Sequence, residues 1–151
     1  MNVTFEKATV ADVATLTAIE KRAFDDDSQK FLGKETGGPP GYDSEEWTLR
    51  MVHTAPVFKI LCDGQVVGGI IVLDLRRGHF ELGRIWIDPD YQNLGIGGMA
   101  LAYIEEAFPQ ATRWTLDTPT WATRNRYFYA KHGYREVRED GEGVYFEKRV
   151  E

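Results

Sequence analysis

A glycine-rich segment holds the residues of this chain whose types and spacing have the clearest chemical meaning. Gln92, Gly95 and Gly97 follow the order Gln-x-x-Gly-x-Gly and stand directly before an apolar run. Glycine permits backbone angles that turn several N–H groups toward one centre, and it leaves room for a bulky group. A helix N-terminus adds free N–H groups and the positive end of its dipole. The segment therefore predicts a binding site for an anion such as a pyrophosphate.

The residues on either side of these glycines predict a strand before them and a helix after them. Ile85-Trp86-Ile87 is a β-branched and aromatic run that stops at Asp88-Pro89. Beyond the loop, apolar residues recur at spacings of three and four, namely Ile96, Ala100, Ile104 and Ala107. The anion site is thus expected between the end of a strand and the start of a helix.

The same glycines also fit a variant of the dinucleotide-binding fingerprint, which we disfavour. Gly95 to Ala100 matches G-x-G-x-x-A, and Asp117 lies near the spacing of the fingerprint's acidic residue. In that motif, however, the first glycine follows the strand directly, whereas residues 88–94 separate Ile87 from Gly95. A predicted antiparallel meander also precedes the loop, where a dinucleotide-binding fold would alternate strands and helices. A P-loop is excluded because no Gly-Lys-Ser/Thr follows.

Hydrophobic periodicity and turn residues predict the remaining elements. Asp63-Gly64 is a strong hairpin signal, and Gly133 is expected to end the last helix. Predicted strands cover 2–8, 57–62, 65–75, 79–87, 112–117, 134–139 and 144–150, and predicted helices run from the Thr9 cap to near Phe24, over a short stretch after Ser44, over 96–107 and over 121–132. Segment 25–43 is predicted to be irregular, either as a solvated connection or as a wall of the substrate pocket.

This order of elements predicts an α+β fold with a mixed sheet. The strand at 112–117 is expected to lie parallel to the one ending at Ile87, because a crossover helix joins them. The three strands over 57–87 are joined by tight turns and are expected to form an antiparallel meander, and the last two strands are expected to form a hairpin. The length of 151 residues favours one domain over residues 1–151.

Composition narrows the classes of partner and compartment. A net charge of −6 with no long run of Lys or Arg argues against nucleic acid and favours cationic partners. Cys62 is the only cysteine, which favours a reducing compartment and a cytoplasmic location. Glu6 and Lys7 interrupt the N-terminal apolar residues too early for a signal peptide or a membrane span, so no membrane partner is expected. The three histidines lack metal-site spacing, so no metal is expected.

Two motifs resemble those of the GNAT superfamily of N-acetyltransferases, and they follow each other along the chain in the same order as in that family. Gln92-x-x-Gly95-x-Gly97 resembles the family's acetyl-CoA-binding motif, and the Ile85-to-Pro89 segment is similar to its fourth strand and exit. Tyr129 to Tyr134 is similar to the family's Tyr-x-x-x-Gly-aromatic signature. The resemblance covers essentially the whole chain. It implies a GNAT fold: a mixed, mostly antiparallel sheet of about seven strands with about four helices, and splayed parallel strands in the centre.

The resemblance also implies which residues hold acetyl-CoA. The pyrophosphate would be held by Gln92, Asn93, Leu94, Gly95, Ile96, Gly97 and Gly98. The main chain of Ile85, Trp86 and Ile87 would pair with the pantetheine arm like a missing strand. Asn125 is a further candidate for contacting that arm, although the family often carries its Asn earlier in the helix, where Ala122 stands.

Acetyl transfer to an amine needs a base and an acid, and the chain offers candidates for both. Tyr129 matches the family's tyrosine, whose phenol can protonate the departing CoA thiolate; the competing interpretation is a packing tyrosine. Glu81 is the candidate base, expected by strand alternation to share a face with Ile85 and Ile87 in the absence of a bulge. Asp117 or ordered water are the alternatives for this role.

The resemblance predicts an acetyl-CoA-dependent N-acetyltransferase acting by direct attack of a primary amine in a ternary complex. Cys62 is poorly placed for a covalent intermediate, because it lies far in sequence from both motifs. The acidic balance and the Asp25-Asp26-Asp27 run favour a cationic acceptor, either a small molecule or a peptide. The alternative function is a non-catalytic protein that binds or senses acyl-CoA, and a homodimer stays open.

Overall fold

The computed structural model describes residues 1–150, and its elements follow the predicted order. They are β1 (Val3–Lys7), α1 (Val13–Leu32), α2 (Glu45–Thr54), β2 (Val57–Cys62), β3 (Gln65–Asp74), β4 (His79–Ile87), α3 (Ile96–Ala107), β5 (Arg113–Thr118), α4 (Thr123–Lys131), β6 (Arg135–Glu139) and β7 (Val144–Arg149). Short 3₁₀ turns precede α1 (Val10–Asp12) and follow β4 (Pro89–Tyr91).

The strands form one sheet in the order β1-β2-β3-β4-β5-β7-β6. Neighbours are antiparallel except for β4 and β5, which are parallel because α3 crosses over between them. Their pairing covers only His79–Glu81 against Arg113–Thr115. Beyond those residues the two strands diverge. The predicted α+β class, the mixed sheet and the splayed central strands are therefore confirmed.

Each face of the sheet carries its own hydrophobic core. On one face, α3 and α4 cover fully buried residues such as Trp114, with Ile104 contributed by α3. On the other face, α1 and α2 cover Trp86, with Leu16 contributed by α1. Burying a large apolar side chain stabilises the fold by about 1.5–3 kcal/mol. The two helical layers are thus held to the sheet independently of the divergence between β4 and β5.

A β-bulge in β4 changes which face its residues occupy. Gly83 is skipped in the pairing of β4 with β3. Before the bulge, Glu81 pairs with Leu73, which packs on the α1/α2 face. After the bulge, Ile85 and Ile87 pack against the α3/α4 core. The expectation that Glu81 shares a face with these two isoleucines is therefore wrong, because one extra residue inverts the alternation.

The first helix is longer than predicted, since α1 continues past Phe24 to Leu32. Its acidic run does not end it, because Asp25 and Asp26 each pair with a lysine one turn away on the same helix. The helix ends at Gly33, which adopts φ +66°. The prediction that segment 25–43 is irregular is therefore wrong for its first eight residues, 25–32.

Side chains of α1 hold the remaining segment, residues 33–44, close to the helix. The Asp25 carboxylate accepts hydrogen bonds from the Tyr42 hydroxyl at 2.8 Å and from the Gly37 N–H at 3.0 Å. The Ser28 hydroxyl donates to the Gly37 carbonyl at 2.7 Å. Burial and the Asp25 carboxylate raise the pKa of Tyr42 to about 12. The phenol thus stays protonated and keeps donating, so the segment is fixed by specific contacts.

A buried ion pair joins α1 to the sheet. Glu20 is fully buried and accepts a hydrogen bond of 2.9 Å from the guanidinium of Arg84. Burial raises the pKa of Glu20 to about 7, the Arg84 charge opposes this rise, and Asp43 adds to it. The carboxylate therefore titrates near neutral pH inside the protein.

We expect the ionisation of Glu20 to weaken folding as the pH rises. Its folded-state pKa exceeds the ordinary 4.5, so the folded state binds the proton more tightly than the unfolded state does. Stability from this group is complete below pH 4.5 and is lost as the pH rises to about 7, by roughly 3 kcal/mol at most. Denaturant unfolding of wild type and Glu20→Gln from pH 4 to pH 8 measures the difference between them. The difference in unfolding free energy between the two proteins should change across this window, and a difference that is the same at every pH contradicts the raised pKa of Glu20.

Candidate active site

A cavity of about 510 Å³ lies where β4 and β5 diverge. Its wall includes residues of α1 and of α4, which cover opposite faces of the sheet. The cavity therefore passes through the sheet along the gap between the two strands. Among the predicted site residues, the wall contains Ile85, Trp86, Ile87, Gln92, Asn93, Gly95, Ile96, Gly97, Gly98, Asn125 and Tyr129.

The turn after β4 fixes the start of the glycine loop. The Asp88 side chain accepts from the Asp90 N–H at 2.9 Å, and Pro89 opens the 3₁₀ turn. The Gln92 side-chain amide donates to the Ile87 carbonyl at 3.0 Å, which ties the loop back to the end of the strand. The structure thus gives Gln92 a part in shaping the loop.

The glycine loop presents a row of unpaired backbone N–H groups. Asn93 and Gly95 adopt φ values of +63° and +83°, and Gly95 directly precedes α3. Within residues 1–150, the N–H groups from Asn93 to Gly98 donate no hydrogen bond to another atom of the chain. Three of them belong to the first turn of α3, where the helix itself provides no acceptor. This arrangement is suited to a bulky anion.

Two glycines in the loop also set the distance between α3 and α4. A Cβ atom on Gly97 would lie 3.0 Å from the Phe128 ring, and one on Gly98 would lie 2.7 Å from the His132 ring. Sequence reasoning assigned these glycines only to ligand approach. The structure adds a packing reason, because larger residues would push the two helices apart.

Tyr129 projects from α4 into this region. The residue is 8% exposed and lines the cavity, and its hydroxyl makes no hydrogen bond to any of residues 1–150. Burial, and secondarily the charge of Asp117, raises the pKa of the phenol. The hydroxyl therefore stays protonated and is available to donate. Its ring packs against Phe128 and Tyr134 at centroid distances of 5.2 Å and 5.8 Å.

Asn125 lies one turn before Tyr129 on α4, and it also lines the cavity. Its side-chain amide donates to the Thr118 hydroxyl at 3.1 Å, which anchors it to the end of β5. Ala122, the position that the family often fills with Asn, is buried at the cap of α4 and lies outside the cavity wall. The structure therefore places Asn125, and not residue 122, beside the gap.

Glu81 and Leu94 lie outside the cavity wall. Leu94 is 48% exposed, so only its neighbours in the loop line the cavity. Glu81 pairs with Thr115 at the last position where β4 and β5 are joined, which is the narrow end of the gap. It is half-buried, and burial together with the charge of Asp117 raises its pKa. Because of the bulge, it faces the α1/α2 side of the sheet.

Several wall residues were missed by sequence reasoning. The basic residues of the wall are Arg124 and Lys131 of α4 and His132 at the C-cap of that helix. Arg124 and Lys131 are seven residues apart on one helix, a spacing that could have been noticed. Burial, followed by the charges of two lysines, lowers the pKa of His132.

The α1 residues of the wall had no comparable sequence signal. Ala23 and Phe24 lie at the predicted end of α1, and Asp27 reaches the cavity because the helix continues beyond that end. Asp27 accepts a hydrogen bond of 3.2 Å from Arg124, so α1 and α4 meet across the open end of the gap. Burial raises the pKa of Asp27, and the Arg124 charge opposes this rise.

The described residues also bear on three other features, namely a metal site, a membrane-spanning helix and a reactive cysteine. Within residues 1–150, no group of three His, Cys, Asp or Glu side chains is placed to hold a metal ion. No helix in that range is long and apolar enough to cross a membrane. Cys62 is a buried free thiol in the core.

Comparisons with known proteins agree with this fold. The uncharacterized protein YrkN of Bacillus subtilis is 33% identical over 93 residues, which covers 61% of this chain and half of that protein's length. The crystal structure of the PaiA N-acetyltransferase of Thermoplasma acidophilum in complex with coenzyme A superposes with a TM-score of 0.84 at 19% identity, covering 99% of this chain and 100% of that one.

A further solved structure has a similar fold. The GNAT family acetyltransferase of Elizabethkingia anophelis with acetyl-CoA bound gives a TM-score of 0.65 at 17% identity, covering 99% of each chain. The model of the acetyltransferase (GNAT) family matches residues 16–134. That range includes β4, the glycine loop and all of α4. The chain therefore belongs to the GNAT acetyltransferase family.

Proposed function

We propose that the protein is an acetyl-CoA-dependent N-acetyltransferase that moves an acetyl group to a primary amine by direct attack in a ternary complex. One observation carries the proposal. Residues with free backbone N–H groups, namely Asn93 and Gly95 to Gly98, line the same cavity as Tyr129, whose hydroxyl is unpaired. An anion site and a proton donor on one cavity are what coenzyme A and its departing thiolate require.

The residues of the gap fit acetyl-CoA, and the PaiA enzyme and the Elizabethkingia anophelis protein with bound coenzyme support this cofactor. The N–H groups of the glycine loop and the positive end of α3 hold the pyrophosphate. Main-chain groups of Ile85–Ile87 have no partner strand on the β5 side, and apart from the Ile87 carbonyl, which accepts from the Gln92 amide, they pair with the amides of the pantetheine arm. When bound, acetyl-CoA would supply an activated acetyl group for transfer to the amine.

The amine acceptor approaches from the α1/α2 face. The cavity continues to that face, and Glu81 and Asp117 occupy it near the narrow end of the gap. An alkylammonium of pKa near 10.4 is neutral in only about one molecule in a thousand at pH 7. A carboxylate whose own pKa is raised accepts its proton more readily. Glu81 takes this role directly or through ordered water, with Asp117 as the second candidate. The two carboxylates favour a cationic acceptor.

Tyr129 and the gap edge act on the other reacting atoms. A free main-chain N–H on β4 stabilises the negative charge that develops on the acetyl oxygen. The Tyr129 hydroxyl donates its proton, or a hydrogen bond, to the sulfur as it departs. Cys62 is buried and lies outside the cavity wall, which supports direct attack over a covalent intermediate.

A thiol-release assay with acetyl-CoA across a panel of amines tests the proposal. The panel includes polyamines, aminoglycosides, a lysine-containing peptide and neutral amines of matched size. We expect turnover with at least one cationic amine and slower turnover with the neutral ones. Tight coenzyme binding by calorimetry without turnover on any amine contradicts the enzyme and supports an acyl-CoA sensor instead.

Replacing the Tyr129 hydroxyl should slow chemistry more than it weakens binding. We expect Tyr129→Phe to lower kcat by roughly a hundredfold, because a positioned general acid is lost, and to leave the Kd of coenzyme A nearly unchanged. Tyr134→Phe is the matched control, since Tyr134 is equally buried beside Tyr129 but does not line the cavity. Equal rates for the two variants contradict the acid role.

The left-handed backbone of Gly95 gives a second test. Gly95 and Gly64 adopt φ values of +83° and +84°, and a Cβ atom on either would meet nothing within 4 Å. Gly95→Ala and Gly64→Ala should therefore each cost roughly 1–2 kcal/mol of folding free energy. Only Gly95→Ala should also weaken coenzyme A binding, by roughly tenfold, because its loop shifts. Calorimetric Kd values that are equal for the two variants contradict the pyrophosphate site.

A further inference from the structure

A single arginine on β4 joins three other parts of the chain. The Arg84 guanidinium donates to the Glu20 carboxylate on α1 at 2.9 Å and to the Pro40 carbonyl at 3.0 Å. It also stacks over the Trp47 ring of α2 at 4.2 Å from the centroid. The planar guanidinium has enough donors for both oxygen partners while its face lies on the ring, which a lysine ammonium cannot reproduce.

This cluster borders the gap between β4 and β5. Arg84 belongs to the half of β4 that has no partner on the β5 side, and Ile85 after it lines the cavity. The bulge at Gly83 places Arg84 opposite Ile71, which packs in the α1/α2 core. Through Pro40, the arginine therefore fixes segment 33–44 on the face from which the acceptor approaches.

Segment 33–44 also touches the cavity wall itself. A Cβ atom on Gly38 would lie 2.9 Å from the Cβ atom of Phe24, which lines the cavity. Gly41, at φ +83°, crosses so close to the Trp47 ring that a Cβ atom there would lie 2.3 Å away. The segment thus packs on the ring that Arg84 covers and on the phenylalanine that lines the cavity.

Stability alone is a weak reason for this buried pair. Glu20 is 0% exposed, and its Oε1 atom has no hydrogen-bond partner within residues 1–150. Burying two charges costs more desolvation than their attraction reliably returns, and apolar residues of similar volume are often at least as stable. The ion pair instead fixes the orientation of the Arg84 guanidinium, which contacts α1, segment 33–44 and α2 at once.

We propose that Arg84, oriented by Glu20, is a positioning residue that fixes segment 33–44 behind Phe24, the wall residue on the acceptor side of the site. It sets the affinity for the amine without touching the amine or the coenzyme. This inference rests on the proposed function, because the wall matters for catalysis only if an acceptor binds there.

The test compares Arg84→Met with a matched variant, Lys59→Met. Lys59 pairs with Asp12 at 3.1 Å, with side chains 19% and 14% exposed, and joins β2 to the turn before α1 outside the cavity wall. Both variants should lose stability. Only Arg84→Met should raise the KM for the amine, by tenfold or more, while the KM for acetyl-CoA changes less than twofold. Arg84→Lys should fold more stably than Arg84→Met and still show the raised amine KM.

Hydrogen exchange separates this inference from the proposed function. Backbone amides of segment 33–44 should exchange faster in Arg84→Met and Arg84→Lys than in wild type, and Lys59→Met should leave them unchanged. An unchanged amine KM in both Arg84 variants, or a parallel rise in the KM for acetyl-CoA, overturns the inference. If wild type turns over no amine, the proposed function fails, and the exchange of segment 33–44 alone decides whether Arg84 fixes it.

Discussion

The pairing between β4 and β5 ends after Glu81 and Thr115, and the site depends on this interruption. Backbone N–H and C=O groups inside a protein need partners, and those of β4 beyond Glu81 have a partner strand on the β3 side only. The gap thus leaves a hydrogen-bonding edge in the middle of the sheet. An extended molecule that carries its own amide groups can complete that edge, as a strand would. The rest of the structure keeps this edge open and places side chains along it.

Packing on both faces stabilises the fold around the interruption. On one face, Gly97 and Gly98 let α3 approach the rings of Phe128 and His132 closely, which fixes α4 beside the gap. On the other face, α1 covers β3 and β4, and it meets α4 across the open end through the Asp27–Arg124 pair. That pair is partly exposed, so it adds little stability. Close apolar packing, rather than surface charge, therefore keeps the two halves of the sheet apart.

Apart from Arg84, which is paired with Glu20, the charged residues named around the gap are divided between its two faces. The basic residues of the cavity wall, such as Arg124 and Lys131, come from α4, whereas Glu81 and Asp117 lie on the α1/α2 side. The positive dipole of α3 adds to the first group. On the proposed function, this distribution would attract the anionic coenzyme and a cationic amine from opposite faces. The formal net charge of −6 does not reveal this arrangement, because it adds the basic and acidic residues of the whole chain together.

The amino-acid sequence by itself determined the local features of this protein. Glycine spacing before an apolar run, the Asp63-Gly64 turn and the Tyr129 signature predicted the loop, the strand order near it and the family, because these signals depend on neighbouring residues. Only the tertiary structure decided the face on which Glu81 lies, since a one-residue bulge at Gly83 inverts the alternation. It also decided the contribution of α1 to the cavity and the contacts of Arg84. Both depend on strand register and on packing between segments far apart in the chain, and a single sequence does not encode these as a local pattern.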